Sequence, residues 1–105
     1  MSTTVTAARD LLLAEAFGED GIATQLRFGG DPGADRLKAL ADGIAVLQGR
    51  LRGRSKIDRR VAHAAHAVAL CAQSLLFETA GRHPREAPLL DLLVAAERLI
   101  GGEPD

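Results

Sequence analysis

The chain has 105 residues, 47% hydrophobic and 26% charged, with a net charge of −1, three Phe, no Trp or Tyr, and one cysteine, Cys71. A single domain of this length buries about 65% of the surface its unfolded chain exposes, so the core is modest; the lone cysteine excludes an internal disulfide framework and reads as a small hydrophobe in its Ala/Leu surroundings. The N-terminus lacks the basic and apolar regions of a signal peptide, and no apolar run approaches the ~20 residues of a membrane span, which makes a cytosolic protein the expectation.

Four helices are expected, in chain order. The first runs from about Val5 to Phe17, with Ser2, Thr3 and Thr4 offering capping oxygens, Gly18 a stop, and Val5, Ala8, Leu12, Leu13, Ala16 and Phe17 an apolar face. The glycine-flanked stretch 22–28 is ambiguous: Ile22, Thr24, Leu26 and Phe28 alternate as a half-buried strand does, yet Ile22 and Leu26 are also one helical turn apart. The second helix is expected to open with Asp31 as N-cap and Pro32 at the first position, and Leu37, Leu40, Ile44, Leu47 and Leu51 step by three and four along one seam. Gly43 and Gly49 weaken it by roughly 1 kcal/mol each unless a neighbouring backbone comes close there.

The third helix, about Asp58 to Ala80, is the longest and has two apolar sides. At 100° per residue, Val61, Ala65, Val68, Ala72 and Leu75 form one stripe, and Arg59, His63, His66, Leu70 and Phe77 form another opposite to it. The fourth helix begins after 83–88, with Pro88 near its first turn, buries Leu89, Leu92, Leu93, Ala96, Leu99 and Ile100, and ends at Gly101 and Gly102. Together these give an all-α, up-and-down bundle of about four helices in one domain. A long helix that is apolar on both sides further predicts a two-fold homodimer around the third helix, with His63, His66, Leu70 and Phe77 in the interface.

Charge is concentrated between the second and third helices. Residues 50–60 carry six basic side chains, Arg50, Arg52, Arg54, Lys56, Arg59 and Arg60, against one acid, while the segments on either side are each net −3. This joint is a candidate phosphate or nucleic-acid grip. It lacks interleaved aromatic residues for base stacking and a basic reading helix, and reads more simply as a solvated corner at the negative end of the preceding helix. His63 and His66 share a helix face at the spacing of metal ligands, but no carboxylate or thiol joins them on that stripe, so no metal or other cofactor is expected.

Five residues separate Arg60 from His66 and six separate Arg59 from it. That spacing resembles the loose arginine, four to six residues, histidine pattern of HEPN-type ribonucleases, small all-helical dimers with a composite active site at their interface. The resemblance covers about eight residues and implies His66 as general base and an arginine steadying a phosphoryl transition state. In that family the two side chains converge; on an ideal helix Arg60 lies about 120° around from His66, and Arg59 about 10 Å along the axis from it. The sequence presents no phosphate-cradling glycine loop and no nucleophile, base and acid set. The leading expectation is therefore a non-enzymatic protein-interaction module, an adaptor, inhibitor or small regulator with a protein partner; action on nucleic acid through the basic joint is the alternative.

Overall fold

A computed structural model describes residues 5–51, 59–79 and 82–101. Among them the protein is an all-α bundle: α1 (Val5–Phe17), the six-residue α2 (Ile22–Arg27), α3 (Ala34–Leu51), α4 (Arg59–Thr79) and α5 (Glu86–Gly101). The four long helices pack in a closed circuit, α1 on α3, α3 on α5, α5 on α4 and α4 back on α1, and α2 is laid against α1 and α4. Across the circuit, α3 and α4 share no substantial contact among the described residues, although they follow one another in the chain.

The core is built almost wholly of Leu, Ile, Val and Ala. Leu12 of α1, Leu37, Leu40 and Ile44 of α3, Val68 of α4, and Leu89 and Leu92 of α5 are fully buried, with Ile22 of α2 among them. Alanines at 8, 64, 65, 72 and 96 have no exposed surface either, so the helices approach closely with little side-chain bulk between them. Gly43 belongs to the same tight contact: a Cβ there would sit 3.3 Å from Leu11 Cδ2 and 3.9 Å from Ala8 Cβ, whereas Gly49 faces open space.

The ambiguous stretch is a helix. Ile22, Ala23 and Leu26 all face inward, which a single helical turn allows and strand alternation does not. Its end is a Schellman motif: Gly29 takes a left-handed φ of +81°, and the Gly30 N–H donates to the Gln25 carbonyl over 2.7 Å. Phe28, expected on the buried side, is 78% exposed beyond that end.

The start of the second expected helix moves by two residues. Asp31 is no N-cap; its carboxylate instead accepts the Gly33 N–H at 2.9 Å in a local turn. Gly33, at φ +88°, ends that turn, and its carbonyl accepts the first helical bond, from the Leu37 N–H. Asp31 also receives Arg85 Nε at 3.4 Å, which ties the approach to α3 to the approach to α5. The Gly33 N–H, and then Arg85, hold the Asp31 carboxyl below its ordinary value of 3.8. A depressed acid contributes stability above that value and loses it as pH falls through the folded-state pKa. Asp31→Asn is therefore expected to be less stable than the wild type near neutral pH, with the gap closing below pH 3.8; urea melts at pH 7 and pH 3 check this.

Two boundary residues of the expected apolar faces turn outward: Phe17, the last residue of α1, and Ile100, near the end of α5, are both partly exposed. Phe17 lies beside His63 and Arg60 of α4, and Ile100 edges a cleft shared with His66 and Leu70, each at the margin of the core. The expectation that no apolar segment approaches membrane-spanning length is also corrected. Helix α4 is 21 residues long, and its most apolar stretch reaches a mean hydropathy of 1.2, enough by length and composition alone. The cause is the pair of apolar stripes, since Val61 to Phe77 contains no Asp, Glu, Lys or Arg. One of those stripes is packed inside the bundle.

Candidate functional site

Helix α4 meets α1, α2 and α5 through the first stripe. Val61, Ala65, Val68 and Ala72 are buried and Leu75 partly so, as their spacing predicts. The second stripe faces solvent in the single chain: His63 and His66 are exposed, Leu70 is 49% exposed and Phe77 86%. Gln73, also exposed, lies on the same face, so Arg59, His63, His66, Leu70, Gln73 and Phe77 step by four and three along α4. That is the spacing of a coiled-coil seam.

Leu70 stands as a ridge between two clefts. On one side, Leu70, Cys71 and Ser74 face Leu26 and Arg27 of α2 across about 330 Å³. On the other, His66, Leu70 and Gln73 face Glu97 and Ile100 of α5 across about 280 Å³. At the start of the stripe the His63 ring meets Phe17 edge-on, with centroids 5.3 Å apart, and the Arg60 guanidinium lies 6.0 Å from the Phe17 ring centre. Phe17 thus extends the apolar surface sideways from α4, and the histidine beside it is held in an aromatic contact.

A second groove lies between α3 and α5, on another side of α5. Its walls are mainly Ala34, Ala41, Ala87, Pro88 and Ala95, rimmed by Asp35, Asp42 and Asp91, and its volume is about 450 Å³. Lys38 on the rim is paired with Asp42 at 3.3 Å. The groove walls are small side chains, whereas α4 exposes the larger Leu70 and Phe77, with Phe17 beside His63 at the start of the stripe.

The basic joint is only partly within view. Arg52, Arg54 and Lys56 and the Arg50 side chain lie outside the described residues; Arg59 and Arg60 are exposed at the first turn of α4. Because Arg59 is already helical, its Cα is about 10 Å along the axis from that of His66. No three His, Cys, Asp or Glu side chains gather closely enough to hold a metal among the described residues.

The best-buried charge among the described residues was not among the expected sites. Glu15 is only 5% exposed on the inner face of α1. Its carboxylate takes Arg36 Nε at 2.7 Å and Arg36 Nη2 at 2.6 Å, a bidentate pair between α1 and α3. The same carboxylate accepts the Ile22 N–H at 3.3 Å, which satisfies an otherwise orphaned donor at the start of α2. Arg36 also donates to the Asp20 carbonyl, and Glu15 raises the Arg36 pKa further, so the guanidinium stays charged at every working pH. The sequence carried one signal of this: Glu15 falls three residues after Leu12 and seven after Ala8, on the buried stripe itself. The site is structural, fixing the chain between α1 and α3.

Comparison with protein families, curated proteins and solved structures gave no match to the chain.

Proposed function

We propose that this chain is a cytoplasmic, non-enzymatic interaction module, an adaptor, inhibitor or small regulator, that works as a homodimer built around α4. The observation that carries the reading is the exposure of Leu70 and Phe77 on one face of the longest helix, beside His63 and His66. Large apolar groups exposed on one helix face of a small domain favour an interface, because water is displaced from them only when another surface covers them. Covering the α4 face leaves the α3–α5 groove open, and a dimer then offers two such grooves to a protein partner.

The test is light scattering after size exclusion, at low and moderate salt, with the 260/280 absorbance ratio recorded. A dimer is expected for the wild type. Leu70→Glu places a carboxylate at the centre of the interface twice and is expected to weaken dimerisation about 100-fold or more, since every 1.4 kcal/mol is tenfold, and Phe77→Ala, which removes the ring, is expected to weaken it as well. Both sites are exposed in the single chain, so the variants are expected to keep the wild-type helix content by circular dichroism. A monomeric wild type removes the reading. Nucleic acid that copurifies and leaves at moderate salt moves the function to Arg59, Arg60 and the rest of the basic joint.

A further inference from the structure

We infer that α4 pairs with the α4 of a second copy in antiparallel orientation and in one register, in which His66 faces Leu70, His63 faces Gln73, and Arg59 faces Phe77 across the two-fold axis. The inference rests on the homodimer reading and goes on to say how the two copies meet.

Three observations fix the arrangement. Six of the exposed residues of α4, Arg59, His63, His66, Leu70, Gln73 and Phe77, step by four and three, the spacing at which a second helix lies along one face at a shallow angle. Small residues flank the middle of the seam: Ala62, Ala67 and Ser74 let two helices come close there, with the larger Arg60 and Leu76 towards its ends. The ends of α4 carry opposite charge, Arg59 and Arg60 in the first turn and Glu78 near the last. Parallel pairing places the arginines of one copy beside those of the other and aligns the two helix dipoles. Antiparallel pairing brings Arg59 and Arg60 to the level of the second copy's Glu78 and opposes the dipoles.

Register follows from filling the seam. In antiparallel helices the two kinds of seam position face each other, so each facing pair has residue numbers with a constant sum. Among the described residues, the sum that leaves no seam position unpaired joins 59 to 77, 63 to 73 and 66 to 70. Each pair is chemically matched. The Arg59 guanidinium lies over the Phe77 ring, the most exposed aromatic surface on the molecule. The Gln73 amide serves the His63 imidazole, whose ring already abuts Phe17. Leu70 covers the flat face of His66 at the centre, where the clefts on either side of Leu70 receive the small flanking residues of the other copy.

The experiment uses two full-length chains, both carrying Cys71→Ser, one with His63→Cys and the other with Gln73→Cys. Each alone and the equimolar mixture are treated with a short bismaleimide, and the wild-type dimer is measured in parallel by light scattering. Covalent dimer is expected in the mixture and little in either chain alone. Self-linking of either chain at the level of the mixture shows parallel pairing and overturns the proposal. A wild-type dimer without the mixed cross-link places the interface elsewhere and also overturns it, while leaving the homodimer reading standing; a monomeric wild type removes both. A second measurement avoids cysteines in the seam: Arg59→Glu is expected to weaken the dimer about tenfold, and adding Glu78→Arg to restore it to within about threefold. Failure of the double variant to recover counts against the antiparallel orientation.

Discussion

Arg36→Ala is expected to lower the stability of the fold by about 2–3 kcal/mol in urea melts at pH 7, well beyond the usual effect of removing a half-exposed arginine. The loss arises at Glu15, which stays buried with its charge and loses both short bonds from the guanidinium. Removing one member of a fully buried pair costs about 3–5 kcal/mol. The value here is set lower because the Arg36 side chain is 38% exposed, so water reaches the carboxylate once the guanidinium is gone. Glu15→Gln is expected to cost about 1 kcal/mol, since an amide oxygen still accepts the Ile22 N–H and no buried charge is left behind. Adding Glu15→Gln to Arg36→Ala should then recover part of the loss. Equal melts for Arg36→Ala and the wild type would mean that the pair contributes nothing.

Gly21→Ala is expected to cost about 3 kcal/mol, at the upper end for overpacking a tight site. Gly21 has an ordinary extended conformation, φ −68° and ψ 160°, which alanine adopts freely, so backbone strain plays no part. The obstacle is space. A Cβ on Gly21 would lie 2.5 Å from the Glu15 carbonyl oxygen and 2.8 Å from that of Ala14, and those atoms belong to the last turn of α1. Either α1 or the entry to α2 must move, and each movement disturbs the Glu15 bond to Ile22. Gly49→Ala is the control: nothing lies near that position, it is helical, and the substitution is expected to stabilise by about 0.5–1 kcal/mol. Thermal and urea melts of the two variants, taken together, separate the effect of close approach from that of glycine's helix propensity.

The long helices were legible because each contributes a regular apolar face. Helix α1 occupies the expected residues and α4 starts within a residue of its expected cap, while α5 starts at Glu86, inside the stretch 83–88 after which it was expected. The reading failed where a side chain did something other than its commonest task. Asp31 and Pro32 look like a helix start, but the Asp31 carboxylate closes a turn on Gly33, and glycine's left-handed φ delays the helix. The stretch 22–28 was undecidable because seven residues are too few to separate a period of two from one of 3.6; burial of Ala23 beside Ile22 and Leu26 decides it. The exposed stripe of α4 was legible as well, because no other helix of the chain had a face left to cover it. By contrast, the Glu15–Arg36 pair joins residues 21 apart, and which helices adjoin in the circuit depends on packing choices that periodicity does not encode.

The packing circuit divides the contacts by distance along the chain, and this bears on how the protein folds. Helix α1 touches both α2 and α3, and α4 touches α5, so each half of the chain has packing of its own. The packing of α5 on α3, and of α4 on α1 and α2, joins the halves, together with the Arg85–Asp31 pair. Short loops close at small entropic cost, and helical proteins dominated by local contacts fold in microseconds to milliseconds. The α1–α3 hairpin, clamped at Glu15, and the α4–α5 hairpin are thus the natural early units, and their docking is the step that buries the alanine-lined centre of the molecule. A chain divided between α3 and α4 is accordingly expected to reassemble from its two pieces.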